Sequence, residues 1–171
     1  MLSTGQPVAI GLGANLDDPG NAIDRAVASL RQGGVAELRR AALYRTRPVG
    51  CVPGTPDFLN TAVVGLWRGS PLALLALCRR IEGALGRPAY RASDVPRVID
   101  LDLLLVGQRR MDSVALTLPH PRLTDRRFVL EPLAEIAPDW LVPPGLATVA
   151  SWRDRRRRED ETADWGERLA T

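Results

Sequence analysis

Apolar positions along the chain follow two periods, and the periods predict the elements. Residues 8–12 are a short apolar run closed by Gly13 and Asn15, the mark of a strand. The turn residues Asp17, Asp18, Pro19 and Gly20 precede segment 21–31, where Ala22, Ile23, Ala26, Val27 and Leu30 recur at helical spacing; Gly33 and Gly34 end it. Residues 37–46 read as a second strand. A stretch with Pro48, Gly50, Pro53, Gly54 and Pro56 follows, stiff but irregular, which suits binding more than linking. Residues 58–67 return as a third strand. Ser70 and Pro71 have the chemistry of a helix start, and residues 72–85 place Leu74, Leu77, Ile81 and Leu85 on one face before Gly86.

Residues 87–95 are polar and without period, so they read as a loop. The run from Val98 to Val106 has strand character and stops at Gly107. Residues 115–118 suggest a short extra strand, and Pro119-His120-Pro121-Arg122 a stiff extended segment. Residues 124–136 carry a helical pattern through Phe128, Val129 and Leu133, with Pro132 expected to kink or interrupt it. A helix of alternating charge is expected from Ala147 onward. The order strand, helix, strand, strand, helix, strand is a split βαβ pair. It predicts an α+β fold with a ferredoxin-like βαββαβ core: a mainly antiparallel sheet with helices packed on one face. The main domain is expected over residues 1–150, with 151–171 a charged helical extension.

Composition changes this picture little. The chain has 171 residues, 45% hydrophobic and 25% charged, as suits a domain with a real core. No apolar run approaches a membrane span, and the first residues lack the pattern of a secretion signal. Cys51 and Cys78 make neither a metal spacing nor a disulfide framework, so a reducing, cytoplasmic setting is expected. The net charge is +3, with arginine in place of every lysine. Residues 151–171 hold six arginines and six acids, so the excess lies in the body. That suits a small anionic substrate and makes a poor case for nucleic acid. The arginines 155–158 are followed at once by Glu159, Asp160 and Glu161, which favours a self-paired helix.

Candidate chemistry concentrates in the strand 98–106. Asp100 and Asp102 sit two apart, so on a strand they share a face, about 7 Å apart. Two carboxylates beside an apolar run are costly unless compensated. A pair of hard cations about 4 Å apart would compensate them, in the arrangement used for phosphoryl transfer. The same pattern also fits a solvated edge strand with two surface acids. Gly11-Leu12-Gly13 lacks the third glycine and the lysine of known phosphate loops.

Several separated pieces carry a resemblance. They are Gly13-Ala-Asn-Leu16, Tyr44-Arg-Thr-Arg-Pro-Val-Gly50, Pro56-Asp-Phe-Leu-Asn60, Arg80-Ile-Glu82 with Gly86-Arg87, Pro96-Arg97 with Asp100-Leu-Asp102, Leu118-Pro-His120 and Arg126-Arg-Phe-Val-Leu130. In this order, over about residues 8–140, they resemble the 6-hydroxymethyl-7,8-dihydropterin pyrophosphokinase family of folate biosynthesis. The resemblance implies one ferredoxin-like domain. It also implies transfer of the β,γ-pyrophosphoryl group of ATP to the hydroxymethyl group of 6-hydroxymethyl-7,8-dihydropterin, releasing AMP. ATP would be the co-substrate, with two Mg²⁺ held by Asp100 and Asp102 against the triphosphate. Arg87, Arg97 and His120 would be the catalytic, phosphate-contacting groups, with Thr117 also on the nucleotide. On the pterin side the resemblance implies Phe58 and Phe128 as two stacking faces and Asn60 on the amide edge. Backbone groups of Thr46 and Val49 would meet the same edge, and Arg126 would lie near pterin and phosphates. Its partners would be these small molecules alone, with neither nucleic acid nor membrane, and a monomer is expected.

By themselves Phe58 and Phe128 read as core residues. Arg79 and Glu82, three apart on one helix, fit a surface ion pair as well as an ATP or pterin contact. The chain also departs from the family. The loop Pro88-Ala-Tyr-Arg-Ala-Ser-Asp-Val95 lacks the usual basic residues, and Asp94 stands where many members have tryptophan. Ala89 and Ala115 stand where some have nucleotide-contacting arginines, and Pro121 where some have tyrosine. These changes spare the metal and pterin residues and put closure of the loop over ATP in doubt. Two readings therefore stand: a Mg²⁺-dependent pyrophosphokinase, and a pterin- or nucleotide-binding paralogue with weakened turnover.

Overall fold

The computed structural model describes residues 5–48, 53–87, 98–145, 147–160 and 166–170. The first strand, β1 (Gln6–Ala14), is apolar on both faces: Val8, Ile10 and Leu12 point one way, Ala9 the other, and all four are buried. Such a strand must be covered twice. The chain continues through α1 (Pro19–Gln32), β2 (Ala36–Arg40), β3 (Tyr44–Thr46), β4 (Phe58–Trp67), α2 (Pro71–Ala84) and β5 (Asp100–Val106). Then come β6 (Met111–Asp112), β7 (Thr117–Leu118), α3 (Arg127–Ile136), α4 (Val149–Glu159) and β8 (Glu167–Arg168). The main sheet has the order β5-β1-β4-β3-β8, with β2 also on β4, and its pairs are antiparallel. β6 and β7 form a separate hairpin. This is the ferredoxin-like α+β arrangement expected, with β8 added at one edge of the sheet.

The helix starts follow from their caps. The Asp18 carboxylate accepts from the Asn21 N–H at 3.1 Å, and the Ser70 hydroxyl from the Ala73 N–H at 3.1 Å, each just before a proline. The expected single strand over 37–46 is instead two. Between them the backbone turns to side chains: the Thr61 hydroxyl donates to the Ala41 carbonyl at 3.0 Å, and Ala42 N–H donates to Glu135 at 3.1 Å. Helix α3 starts three residues later than the pattern suggested and runs through Pro132 without ending. Its buried face, with Val129, Leu130, Leu133 and Ala134, outweighs the one lost backbone bond.

Helices expected on one face of the sheet cover both. Against one face, Ile23 and Leu30 of α1 and Leu74 and Ile81 of α2 pack on Ile10, Leu12 and Leu101. Against the other, Leu130 and Leu133 of α3 and Val149 of α4 pack on Ala9, Ala62, Val64 and Leu104. The reason is the second apolar face of the central strands.

Two acids on α3, Glu131 buried and Glu135 open to solvent, fasten what lies around it. Glu131 receives Arg127 at 2.9 Å and Arg157 of α4 at 2.7 Å. Arg157 therefore pairs across helices, whereas Arg156 pairs within α4, with Glu159 at 3.0 Å. Burial alone would raise the Glu131 carboxyl, but hydrogen bonds from Arg157 and Arg127 hold it below its ordinary value. Glu135 accepts from the Tyr44 hydroxyl at 2.9 Å, and burial together with that carboxylate pushes Tyr44 up to about 12. Among the described residues no helix is long and apolar enough to cross a membrane.

Candidate active site

Residues directly opposite in an antiparallel ladder share a face. Asp100 of β5 pairs with Gly13 of β1, Gly13 with Asn60 of β4, and Asn60 with Tyr44 of β3. These four lie in one row across the sheet. Asp102 and Phe58 flank the row on the same face, and Thr46 lies opposite Phe58. Two strand spacings separate the Asp100 and Asn60 backbones, about 10 Å. Tyr44 turns its hydroxyl toward α3, so the whole row faces α3. Helix α3 covers part of this face, and its N-cap Arg126, beside Phe128 of the first turn, reaches Asp102.

At one end of the row stand the acids. Along β5 the burial alternates, with Leu101 buried and Asp100 and Asp102 half-buried. The expected shared face is thus observed. Asp100 is ion-paired with Arg87, and the same Arg87 nitrogen lies 2.5 Å from Glu82. Glu82, 2% exposed, also accepts from the Leu101 N–H at 2.8 Å. Gly86, at φ 97°, reverses the chain after α2 and sends Arg87 back to this spot. Burial alone would lower the Arg87 guanidinium; Asp100, Glu82 and Asp102 outweigh it and hold it above its ordinary value.

Asp102 is the more open carboxylate, at 36% side-chain exposure. Arg126 approaches it at 3.7 Å and the His120 Nε2 at 4.0 Å. His120 is held by its own backbone, whose N–H donates to the Leu104 carbonyl at 2.9 Å, and by the Arg122 N–H, which donates to Nδ1 at 3.1 Å. With Nδ1 accepting, the neutral ring carries its proton on Nε2, toward Asp102. Burial pushes the imidazole below its ordinary value, Asp102 opposes this, and Arg126 and Arg122 add to it. Thr117 sits on the adjoining hairpin, half-buried, opposite Asp112. Asp100 and Asp102 offer hard oxygen donors on one accessible face, the chemistry that Mg²⁺ takes. Among the described residues no cluster of three or more His, Cys, Asp or Glu forms, so an ion here would draw further ligands from water or phosphate.

At the other end of the row Asn60 and Thr46 are buried, and the Asn60 amide donates to the Thr46 hydroxyl at 2.7 Å. Gly13 makes room for this amide: a Cβ there would lie 2.8 Å from Asn60 Oδ1. The bond fixes the amide with its nitrogen on Thr46. Phe58 and Phe128 are both half-buried rather than core, and the Arg126 guanidinium lies 5.5 Å from the centre of the Phe128 ring.

Of the residues expected at a site, the fold brings Asp100, Asp102, Arg87, His120 and Arg126 into one cluster. Asn60, Thr46 and Phe58 share the neighbouring stretch of the same face, and Phe128 lies beside Arg126. Val49 and Arg97 fall outside the described residues, as does loop 88–97 with Tyr90, Arg91 and Asp94. Sequence reasoning missed the role of Glu82, which is neither at the surface nor open to a ligand. The signal was its place four residues after Cys78, on the buried stripe of α2.

Comparison with known proteins places the chain among its relatives. Residues 9–138 match the family model described as 7,8-dihydro-6-hydroxymethylpterin-pyrophosphokinase (HPPK). The chain is 38% identical over 141 residues to 2-amino-4-hydroxy-6-hydroxymethyldihydropteridine pyrophosphokinase of Synechocystis sp., covering 82% of this chain and 71% of that one. It is 41% identical over 134 residues to the protein of the same name from Methylorubrum extorquens, covering 78% and 84%. It is also 39% identical over 135 residues to a mitochondrial folate synthesis bifunctional protein of Arabidopsis thaliana, covering 78% of this chain and 24% of that longer protein. In fold it is similar to a crystal structure of HPPK-DHPS in complex with substrates, with a TM-score of 0.79 at 12% identity, over 99% of this chain and 47% of that one. On the strength of the matched family model and of relatives this similar over most of their length, the chain belongs to the 7,8-dihydro-6-hydroxymethylpterin-pyrophosphokinase family.

Proposed function

We propose that this chain transfers the β,γ-pyrophosphoryl group of ATP to 6-hydroxymethyl-7,8-dihydropterin, with the pterin held by the Asn60 end of the row and the triphosphate by the Asp100 end. The observation that carries this reading is the row itself. It sets a hard-anion pair and a buried amide on one face, about 10 Å apart. That spacing suits a flat heterocycle whose hydroxymethyl arm reaches toward a phosphate chain. In the reaction the pterin hydroxyl oxygen bonds to the β-phosphorus, and the α–β bridging oxygen leaves with AMP. The hydroxyl proton passes to water as the new phosphate ester forms. Two Mg²⁺, held between the Asp100 and Asp102 carboxylates and the triphosphate, would neutralise charge there. Arg87 supplies a fixed positive charge beside Asp100, oriented by Glu82. The Nε2–H of His120 and the guanidinium of Arg126 give hydrogen bonds to the leaving side as charge builds. The Asn60 amide and backbone groups of Thr46 and Val49 read the pterin's amide edge, and Phe58 and Phe128 offer it aromatic faces. Arg97 and Thr117 complete the phosphate and nucleotide contacts. The same reading has the chain acting as a monomer in a reducing cytoplasm.

The test is an assay of nucleotide products from ATP with and without 6-hydroxymethyl-7,8-dihydropterin, and with and without Mg²⁺. AMP should form only when both are present. Formation of ADP would overturn the pyrophosphoryl step. Pterin binding without AMP would favour the paralogue with weakened turnover.

A further inference from the structure

The strand that ends in Thr46 is short. β3 spans three residues, and a strand of that length on a sheet edge frays unless both sides are held. Its inner side pairs with β4. Its outer side pairs with β8, a segment from the end of the sequence: Tyr44 faces Arg168, and Arg45 faces Glu167. The Leu169 N–H extends the ladder to the Leu43 carbonyl at 2.8 Å. Continuing the register brings Gly166 opposite Thr46. The approach is close, since a Cβ on Gly166 would lie 2.3 Å from the Arg45 carbonyl oxygen and 2.9 Å from Thr46 Cγ2. Gly166 also adopts φ 146°, a conformation that residues with a side chain rarely adopt. Backbone therefore lies on backbone beside Thr46, with no side chain between.

Side chains fasten the segment at both ends. Arg45 pairs with Glu167 at 2.9 Å. Arg168 reaches across to α3 and donates from Nε and Nη2 to the two oxygens of Glu135, at 3.2 and 3.1 Å. The same carboxylate receives Ala42 N–H and the Tyr44 hydroxyl, both beside or on β3. One acid thus joins the final segment, α3 and β3. From β3 the chain of fixed contacts leads inward, from Thr46 to the Asn60 amide at 2.7 Å.

We propose that residues 166–169 are a strap that positions the pterin half of the site, with Gly166 and Arg168 as the positioning residues. This rests on the reading of Thr46 and Asn60 given above. The strap touches no substrate. It presses the end of β3 against β4, which holds the Thr46 hydroxyl where it orients the Asn60 amide. The acid end of the row, on β5, lies on the far side of β1 and β4 and does not feel it. The strap should consequently act on pterin affinity and spare nucleotide affinity, a split that general loss of stability does not produce.

The experiment uses the full chain, as wild type and as Gly166→Val, Arg168→Glu and Arg168→Lys. Calorimetry measures binding of a non-hydrolysable ATP analogue with Mg²⁺, then of 6-hydroxymethyl-7,8-dihydropterin to that complex. Hydrogen exchange at Leu169 and at residues 44–46 reports whether the strap is released. Gly166→Val and Arg168→Glu should release it and weaken pterin binding about fivefold, the effect of one loosened hydrogen bond, while nucleotide binding stays within about twofold. Arg168→Lys should keep most of the affinity. Released strap amides with unchanged pterin affinity would overturn the proposal, as would equal losses for both ligands. A wild-type chain that binds the nucleotide but no pterin would overturn the functional reading and the strap's role together. Pterin binding that wild type and both releasing variants share would overturn the strap alone.

Discussion

Asp100 and Asp102 are chemically the same and environmentally different. Asp100 faces the Arg87 guanidinium, while Arg126 and His120 stand 3.7 and 4.0 Å from the more exposed Asp102. Under the proposed function, Asp102→Asn should reduce AMP formation by about a hundredfold or more, since it removes an anion assigned to Mg²⁺ at the site of charge build-up. Its melting temperature should move by less than about 4 °C, because weak partly exposed pairs contribute little to stability. Asp100→Asn should cost similar activity and somewhat more stability, since it takes one of two partners from Arg87. Melting curves taken alongside the AMP assay, with the nucleotide analogue and with Mg²⁺ present or removed by EDTA, check both. Wild-type turnover in either variant would remove the aspartates from the site. At this scale the sequence was informative where chemistry is carried by a local spacing. The alternation of Asp100, Leu101 and Asp102 gives a shared face without any knowledge of neighbours. It was uninformative where the deciding partner is distant: Glu82 reads as a helix-surface acid beside Arg79, and only the Leu101 N–H and the returning Arg87 make it an interior one.

At the scale of elements, the joint between α3 and α4 depends on one carboxylate. Glu131 is 4% exposed and its folded value is depressed, by hydrogen bonds from Arg157 and Arg127 that outweigh burial. A depressed acid contributes stability that is present above its unfolded value and lost as pH falls through the folded one. The joint should therefore hold at neutral pH and loosen below about pH 4.5, the ordinary carboxylate value. Glu131→Gln should lower stability by ~2 kcal/mol at pH 7 and flatten the acid limb of a plot of melting temperature against pH. An acid limb as steep as in wild type would mean that another group governs it; Glu135, depressed in the same direction, would be the next to substitute. Elements were legible in the sequence where their ends are local. Ser70 with Pro71 marks the start of α2, and the run 58–67 coincides with β4. The break between β2 and β3 was not, because it is made by Thr61 and Glu135 from other elements. Nor was the second helical layer, which follows from apolar residues such as Ala62 and Val64 that alternation alone does not assign to a face.

For the whole molecule, the sheet is shared by two apolar layers, one under α1 and α2 and one under α3 and α4. Layers built on the same strands should unfold together. Trp67 packs with the first layer, and Trp140 and Trp152 with the second. Tryptophan variants that leave a reporter on one side only should give the same urea midpoint, coincident with circular dichroism. Separate midpoints would show that the layers are independent units. The outer side of β5 has a further consequence, for the chain among other chains. An end strand of a sheet invites a stranger to add itself by main-chain pairing, the first step of aggregation. Here two of the groups such a stranger would use are already taken, the Leu101 N–H by Glu82 and the Leu104 carbonyl by the His120 amide. The buried acid that orients Arg87 thus also helps keep crowded copies of this protein in solution.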